Sequence, residues 1–436
     1  MNRVTMNRFN LADQAEPTGH VPLSKAILRD APPAARMALR LLERLQVGSL
    51  DLQLPDGSTA HFGQATSAHA HGSQACQGPR AALRLHNWSV CSAALKSGDI
   101  GFAESYIAGD WSTPDLTALL TLFIANREHI ESAIYGNWLG RLAYRIKHLL
   151  NRNSKANSRK NIQAHYDLGN DFYRLWLDRT MSYSSAWFEG DHSRPMVDAQ
   201  RAKVKRALME VGVSQFKPGQ RLLEIGCGWG GLAEIAASEH GAHVTGVTLS
   251  TEQLQWAQDR MARANLKDFA DLRLQDYRDI SDEPFDAIVS IEMFEAVGRE
   301  YWPSYFATLQ RCLKPGGRAC LQTITIRDDL FERYIKSTDF IQQYIFPGGL
   351  LPSDQAFRAE AERAGLEVVN TLDFGRDYAE TLRRWRADFN HHLKQVQQLG
   401  FDERFQRIWT FYLAYCEAAF DMGNTSVVQY TLRKRG

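Results

Sequence analysis

The sequence predicts an α/β protein: a Rossmann-like domain with a mainly parallel, doubly wound sheet, preceded by a smaller α+β domain. Three observations lead there. At 436 residues the chain is long enough for two domains. Past residue 160, β-rich runs alternate with helical segments, the signature of βαβ units whose sheet is covered on both faces. The first of those runs ends in a glycine turn, "LLEIGCGWGG" at 222–231, where such sheets bind ligands.

Taken in order, residues 49–63, "SLDLQLPDGSTAHFG", read as strand, Pro-Asp-Gly turn and strand, and "ALRLHNWSV" as a further alternating strand. From about residue 116 to 150 the pattern is helical, which sets a first domain at 1–150. His69 and His71 lie in a Gly, Ser and Ala-rich loop with no further ligands near them, so exposure is a plainer reading than metal binding. Between residues 141 and 160 there are seven basic residues (Arg141, Arg145, Lys147, Arg152, Lys155, Arg159, Lys160) and no acidic one. Leu139, Leu142, Ile146, Leu149 and Leu150 fall near one face of this segment. Two readings fit it: a helix covering the first domain, or contact with anionic lipid. The polar stretch 151–161 is the expected linker, and 162–436 the second domain.

In the second domain "RLLEIGC", "HVTGVTL", "ADLRLQD", "FDAIVSIEM" and "RACLQTITI" are the expected strands, with helices over 230–240 and 251–265. "LKPGG" (313–317) reads as a helix stop and tight turn before the fifth strand.

Composition narrows the function. With 51 Lys and Arg against 50 Asp and Glu, there is no basic excess to suggest nucleic-acid binding. The six cysteines are scattered, without CxxC or histidine at zinc spacing, which fits reduced cytosolic thiols and no metal centre. The N-terminus lacks the apolar core of a signal peptide, and the most apolar stretch, 116–125, is about half the length of a membrane span. A cytoplasmic protein is expected, one that can touch a membrane without crossing it.

The flanks of the glycine loop decide its ligand. Glu224 puts a carboxylate just before the turn, where a pyrophosphate would be repelled, and the second strand ends in "VTLS", without the acid a nicotinamide ribose requires. A cation with an ammonium, a sulfonium and no phosphate suits this loop, and S-adenosylmethionine is such a ligand. Gly226, Gly228 and Gly230 let the backbone approach it, and Gln275, Asp276 and Tyr277 end the third strand within reach of an adenine. These features together predict a class I methyltransferase domain.

At this point the residues resemble a known family. "HYDLGNDFY" (165–173), "MSYSSAWF" (181–188), "LLEIGCGWGGLA", "GVTLSTEQ" (246–253), "LQDYRD" (274–279), "MFEAVG" (293–298), "YIFPGG" (344–349) and "DYAETL" (377–382) resemble the cyclopropane-fatty-acyl-phospholipid synthases and the mycolic acid cyclopropane synthases. The likeness covers about residues 160 to 436 in order, and "GFAESYIAGDW" (101–111) is more loosely similar to the lipid-binding N-terminal domain of the full-length enzymes. The resemblance implies that Tyr183 and Ser184 contact the methionine part of S-adenosylmethionine, with Gly226, Gly228, Thr248, Leu249, Gln253 and Tyr277 completing the site.

It further implies a reaction: the methyl group passes to a cis double bond of an acyl chain in a membrane phospholipid, and the resulting carbocation loses a proton to bicarbonate and closes a ring. A peripheral enzyme on the inner face of the membrane, and a homodimer, come with the same resemblance. The family holds bicarbonate with cysteine, glutamate, histidine and tyrosine; here the matching residues are Ser185, Glu295, Gln322 and Tyr378, so two of the four differ. Serine and glutamine still donate hydrogen bonds, but loss of the histidine removes a titratable group. Relatives with glutamine there resemble enzymes that leave a methyl or methylene branch. A non-catalytic lipid-binding protein that keeps the cofactor fold is the alternative of another class. Glu295 follows the fourth strand on the ligand side, where a helix start could equally favour a carboxylate; Glu292, three residues earlier, could be structural. The carbocation also needs an apolar, cation-stabilising wall, for which Tyr166, Phe172, Tyr173, Tyr183, Trp187, Phe188 and Phe294 are candidates.

Overall fold

The computed structural model describes residues 31–63, 78–134 and 168–435. The basic segment, the linker, His69, His71 and Tyr166 lie outside the described residues.

Two sheets organise the chain. In the smaller, β1 (Ser49–Gln53) and β2 (Thr59–Gly63) form an antiparallel hairpin. Its turn is held by the Asp56 carboxylate, which accepts from the backbone N–H of Ser58 at 2.9 Å. β3 (Arg80–Leu85) runs parallel to β1, and β4 (Trp111–Ser112) closes the order β2-β1-β3-β4. The expected strand "ALRLHNWSV" ends at Leu85, because Ser89 already opens the helix Ser89–Ala108.

The larger sheet has the order β10-β11-β9-β8-β5-β6-β7. β5 (Arg221–Ile225), β6 (His243–Thr248), β7 (Ala270–Leu274), β8 (Phe285–Ile291) and β9 (Leu313–Ile326) are parallel, as their apolar runs predict. The chain winds from β5 outward to β7 and then returns to β8 on the other side of β5, so the switch point lies between β5 and β8. β10 (Leu366–Asp373) and β11 (Thr425–Lys434) add an antiparallel edge that the period of the sequence did not announce. The "LKPGG" turn is drawn into β9: Leu313 pairs with Phe285 and the ladder resumes at Arg318 opposite Ala287. The expected turn is thus an irregularity inside a strand, since Leu313 anchors in the core and pulls the segment into the ladder.

One buried apolar cluster runs through both parts of the chain. It joins Leu119, Leu120 and Leu122 of the helix Leu116–Ala125 to Leu413, Ala414 and Ala418 of the helix Glu403–Asp421. Polar ties reinforce this seam: Thr117 donates to the buried Glu417 carboxylate at 3.1 Å, Tyr415 to Asp99 at 3.0 Å and Tyr344 to Glu104 at 2.5 Å. Among the described residues no helix is long and apolar enough to cross a membrane.

Trp111 is wholly buried in this core, stacked on Phe102 at 4.3 Å with its indole N–H bonded to the Phe102 carbonyl. Trp111→Ala is expected to destabilise the protein by about 3–5 kcal/mol in urea unfolding. A loss under about 1 kcal/mol would mean that the first sheet adds little to the shared core.

Candidate active site

The glycine loop leaves β5 and enters the helix Gly231–His240. Gly226 and Gly230 both take left-handed backbone conformations, with φ of 87° and 78°. They are also crowded: a Cβ at Gly230 would lie 2.9 Å from Ala257 Cβ, and one at Gly226 would lie 3.0 Å from Met293, in the loop after β8. At Gly228 the nearest atom is Gln253 Nε2 at 4.0 Å, so the loop is open there. Thr248 donates to Gln253 Oε1 at 3.1 Å, which leaves the Gln253 amide N–H groups on the side of the loop, and Ser250 caps the helix Thr251–Arg263. Leu249 between them is half-buried.

Beneath the loop Glu224 is buried; Ala233 donates a backbone hydrogen bond to it, while Oε2 has no protein donor. Burial pushes its carboxyl well above the usual range, a penalty that a ligand ammonium would relieve. An orphaned buried acceptor beside an open glycine cradle fits S-adenosylmethionine. Tyr277 is half-buried, with its ring against Tyr305. Gln275 and Asp276 stand at the end of β7, as the sequence places them. Asp276 pairs with Arg278 at 2.6 Å and caps its own turn, and the Gln275 amide donates to the Asp279 carbonyl.

A second group of polar residues forms around the loop after β8. Glu292 stands at the carboxyl end of that strand with φ of 48°, a left-handed conformation rarely adopted by residues other than glycine. Its backbone N–H donates to the Gln322 carbonyl at 2.8 Å, which ties the strained residue to β9. Its buried carboxylate gathers three donors: the backbone N–H of Ser185 at 2.9 Å and Gln322 Nε2 at 2.7 Å reach Oε1, and the Tyr378 hydroxyl reaches Oε2 at 2.8 Å. Burial raises the Glu292 pKa, opposed first by Lys203 and then by these hydrogen bonds. Lys203 is itself buried, donates to Ser184 Oγ at 2.5 Å and is pushed down to about 8 by burial, against the pull of Glu292 and Asp178.

Ser185, Gln322 and Tyr378, three of the four residues expected around a bicarbonate, therefore meet on the Glu292 carboxylate, and Glu295, the fourth, is not among their partners. Ser185 contributes its backbone amide; its hydroxyl donates to the Ala186 carbonyl, so its departure from cysteine leaves the contact to the carboxylate unchanged. Glu295 sits in the short 3-10 turn Phe294–Ala296 rather than opening an α-helix. One of its oxygens accepts from the Ile324 N–H, the other has no protein donor, and burial followed by the neighbouring Glu292 lifts its pKa to about 8. The rule that singled out Glu295, a carboxylate after the fourth strand, applied equally to Glu292. Lys203 carried no signal, because in "RAKVKRAL" it is indistinguishable from a solvated basic face.

Tyr183 shares a hydrogen bond of 2.8 Å with the Tyr412 hydroxyl and lies within an aromatic wall with Tyr173, Trp176 and Trp385, at centroid distances of 5.3–5.6 Å. Trp385 in turn stands 6.2 Å from Tyr378, beside the carboxylate. Phe172 belongs to the same cluster, whereas Phe188 packs on His192 and Phe294 on Trp302 and Tyr305. Trp187 is half-buried against the large core. Apart from this site, an apolar cavity of about 310 Å³ lies between the two parts of the chain, lined by Leu41, Leu85, Phe102 and Leu120 on one side and Leu330 and Phe411 on the other.

Residues 153–430 match the model of the family described as mycolic acid cyclopropane synthetase. The chain is 40% identical to the tuberculostearic acid methyltransferase UfaA1 of Mycobacterium tuberculosis, over 82% of this chain and 84% of that protein. It is 36% identical to the cyclopropane-fatty-acyl-phospholipid synthase of Escherichia coli, over 78% and 84% respectively. Among solved structures it is similar to the mycolic acid cyclopropane synthase CmaA1 complexed with SAH and CTAB, with a TM-score of 0.59 and 35% identity over 63% of this chain and 98% of that one.

Two outcomes test the site. Glu224→Gln, which keeps the shape of the side chain and removes its charge, is expected to weaken S-adenosylmethionine binding ten- to a hundredfold, roughly 1.4–2.8 kcal/mol, by calorimetry; equal affinity would leave Glu224 a structural role only. Glu295 holds its proton in the folded chain up to about 8 but releases it above about 4.5 when unfolded. Stability of the parent relative to Glu295→Gln should therefore fall as pH rises through that window, read from urea midpoints. A flat difference would show that Glu295 is ionised in the fold.

Proposed function

The chain belongs to the mycolic acid cyclopropane synthetase family, and on that premise we propose that it alkylates the cis double bond of an acyl chain in a membrane phospholipid, closing a cyclopropane ring, with Glu292 as its built-in proton acceptor. It is an S-adenosylmethionine-dependent C-methyltransferase, and that co-substrate, held by Glu224, the glycine loop and Gln253, supplies an electrophilic methyl group.

An alkene is a weak nucleophile, so the site must hold it in line and keep water from the cation that alkylation leaves on the chain. The wall of Tyr173, Trp176, Tyr183 and Trp385 suits both tasks, since aromatic faces attract positive charge while excluding water. The cation is resolved by loss of one proton from the transferred carbon, whose C–H electron pair becomes the last ring bond. Glu292 Oε1 already accepts two hydrogen bonds and Oε2 one, so Oε2 has the lone pair to take that proton. A buried carboxylate with a raised pKa is matched to this role.

The observation that carries the reading is the convergence of Ser185, Gln322 and Tyr378 on a protein carboxylate. Three of the four groups that the resemblance assigns to bicarbonate already bind Glu292, and a second anion there would meet its charge. Bicarbonate does not fit this pocket, and no step is assigned to it. The same observation favours a second outcome. A base fixed on the protein, with glutamine in place of histidine, also suits proton loss that leaves a double bond, as a methylene branch or as a methyl branch on a retained alkene, and a relative at 40% identity is named as a tuberculostearic acid methyltransferase. The apolar cavity between the two parts supports lipid contact by the N-terminal part, at the face of a membrane.

The deciding experiment incubates the protein with monounsaturated phospholipid vesicles and methyl-labelled S-adenosylmethionine, then reads the acyl chains by mass spectrometry and NMR. Cyclopropane protons support ring closure, and an olefinic methylene or a methyl branch supports the second outcome. Glu292→Gln should bind S-adenosylmethionine normally and lose about 10²–10⁴-fold in turnover. Undiminished turnover would remove Glu292 from the chemistry, and unlabelled lipid with the parent protein would sink the assigned substrate.

A further inference from the structure

An amide has a donor end and an acceptor end, and only the donor end can face a carboxylate without repulsion. Gln322 meets Glu292 through Nε2, and something must hold it that way round. The antiparallel register of β9 and β11 sets Gln429 directly opposite Gln322, and both side chains are buried. Gln429 Nε2 donates to Gln322 Oε1 at 2.9 Å and to the Lys203 carbonyl at 3.2 Å. Gln429 is in turn oriented by Arg206, whose guanidinium donates to Gln429 Oε1 at 2.6 Å. Arginine has donors only, so it removes the ambiguity at the start of the chain of bonds. Direction then passes from Arg206 to Gln429, to Gln322, to Glu292. Arg206 is itself anchored by Glu210 at 3.4 Å, and Thr431 holds Glu210 at 2.7 Å.

We propose that Gln429 is a positioning residue for the reaction: locked by Arg206, it fixes the amide of Gln322 so that a donor always faces the Glu292 carboxylate. The inference rests on Glu292 being the proton acceptor. Other charged or titratable groups face Glu292 from the elements packed around it: Lys203 on the helix Met196–Glu210, Tyr378 on the helix Gly375–His391, and Glu295 in the adjoining turn. Of the two amide donors to the carboxylate, the Ser185 backbone N–H is fixed, whereas the Gln322 side chain can turn round and present an acceptor.

Gln429→Glu tests this with little change of shape. The new carboxylate satisfies Arg206 but offers no donor to Gln322, whose amide must turn its N–H groups toward it and its carbonyl toward Glu292. Three readouts are expected in full-length protein. The acid limb of the kcat–pH profile moves up by about one unit, a tenfold gain in the proton affinity of Glu292, while KM for S-adenosylmethionine is unchanged. In a Gln322→Leu background, Gln429→Glu adds only the smaller shift that direct repulsion between the two carboxylates produces, since there is no amide left to orient. The infrared carbonyl band of protonated Glu292, identified by its loss in Glu292→Gln, titrates at correspondingly higher pH.

If Gln429→Glu does not fold, Gln429→Met carries the same test with a smaller shift, because the freed amide then samples both orientations. A band and an acid limb that stay in place, or a shift that is undiminished in the Gln322→Leu background, would overturn the positioning role. The infrared titration needs no turnover, so absence of activity in the parent would count against the proposed reaction and leave this inference still decided.

Discussion

The burial of one carboxylate shapes the rest of this site. Glu292 ends β8 in a backbone conformation that L-residues avoid, and a buried charge is tolerated only when it is paired and hydrogen-bonded. Its partners come from four separate stretches: Ser185 before the helix Met196–Glu210, Lys203 within it, Gln322 on β9 and Tyr378 on the helix Gly375–His391. Supplying those donors therefore requires the helices Met196–Glu210 and Gly375–His391 as much as the parallel sheet. Removing any one donor leaves the others holding a charge with less compensation, so the cluster acts as a unit.

The two carboxylates of the β8 loop divide the work by environment. Glu292 has three hydrogen bonds and a buried ammonium nearby, which favour its ionised form; Glu295 has one unpartnered oxygen and a neighbouring acid, which favour its proton. Similar logic separates the cofactor cradle from the reaction centre. Glu224 waits under an open glycine loop with an unpartnered acceptor, whereas Tyr183 and Trp385 belong to a continuous aromatic wall. The switch point brings them together, because a Cβ at Gly226 would touch Met293, the residue that follows Glu292.

The N-terminal part is bound into this arrangement through the helix Glu403–Asp421. One face of that helix receives Leu119 and Leu120 of the first part, and its Tyr412 reaches the Tyr183 hydroxyl. A single element thus links the apolar seam between the two parts to the aromatic wall of the site.

Periodicity was enough for the parallel sheet and its helices, since buried strands must be apolar throughout and surface helices must repeat near every third or fourth residue. The glycine loop was legible for a local reason as well: its backbone conformation, its carboxylate and its flanking strand are all written within ten residues. Motif likeness brought Ser185, Gln322 and Tyr378 into one pocket on paper. It assigned them a bicarbonate, whereas in the fold they meet the Glu292 carboxylate. Glu292 could equally be structural, and nothing in the sequence singled out Lys203 or Gln429. Their meaning depends on burial and on contacts between residues 30 to 226 positions apart, which arise only when β9, β11 and the helix Met196–Glu210 close around the same point.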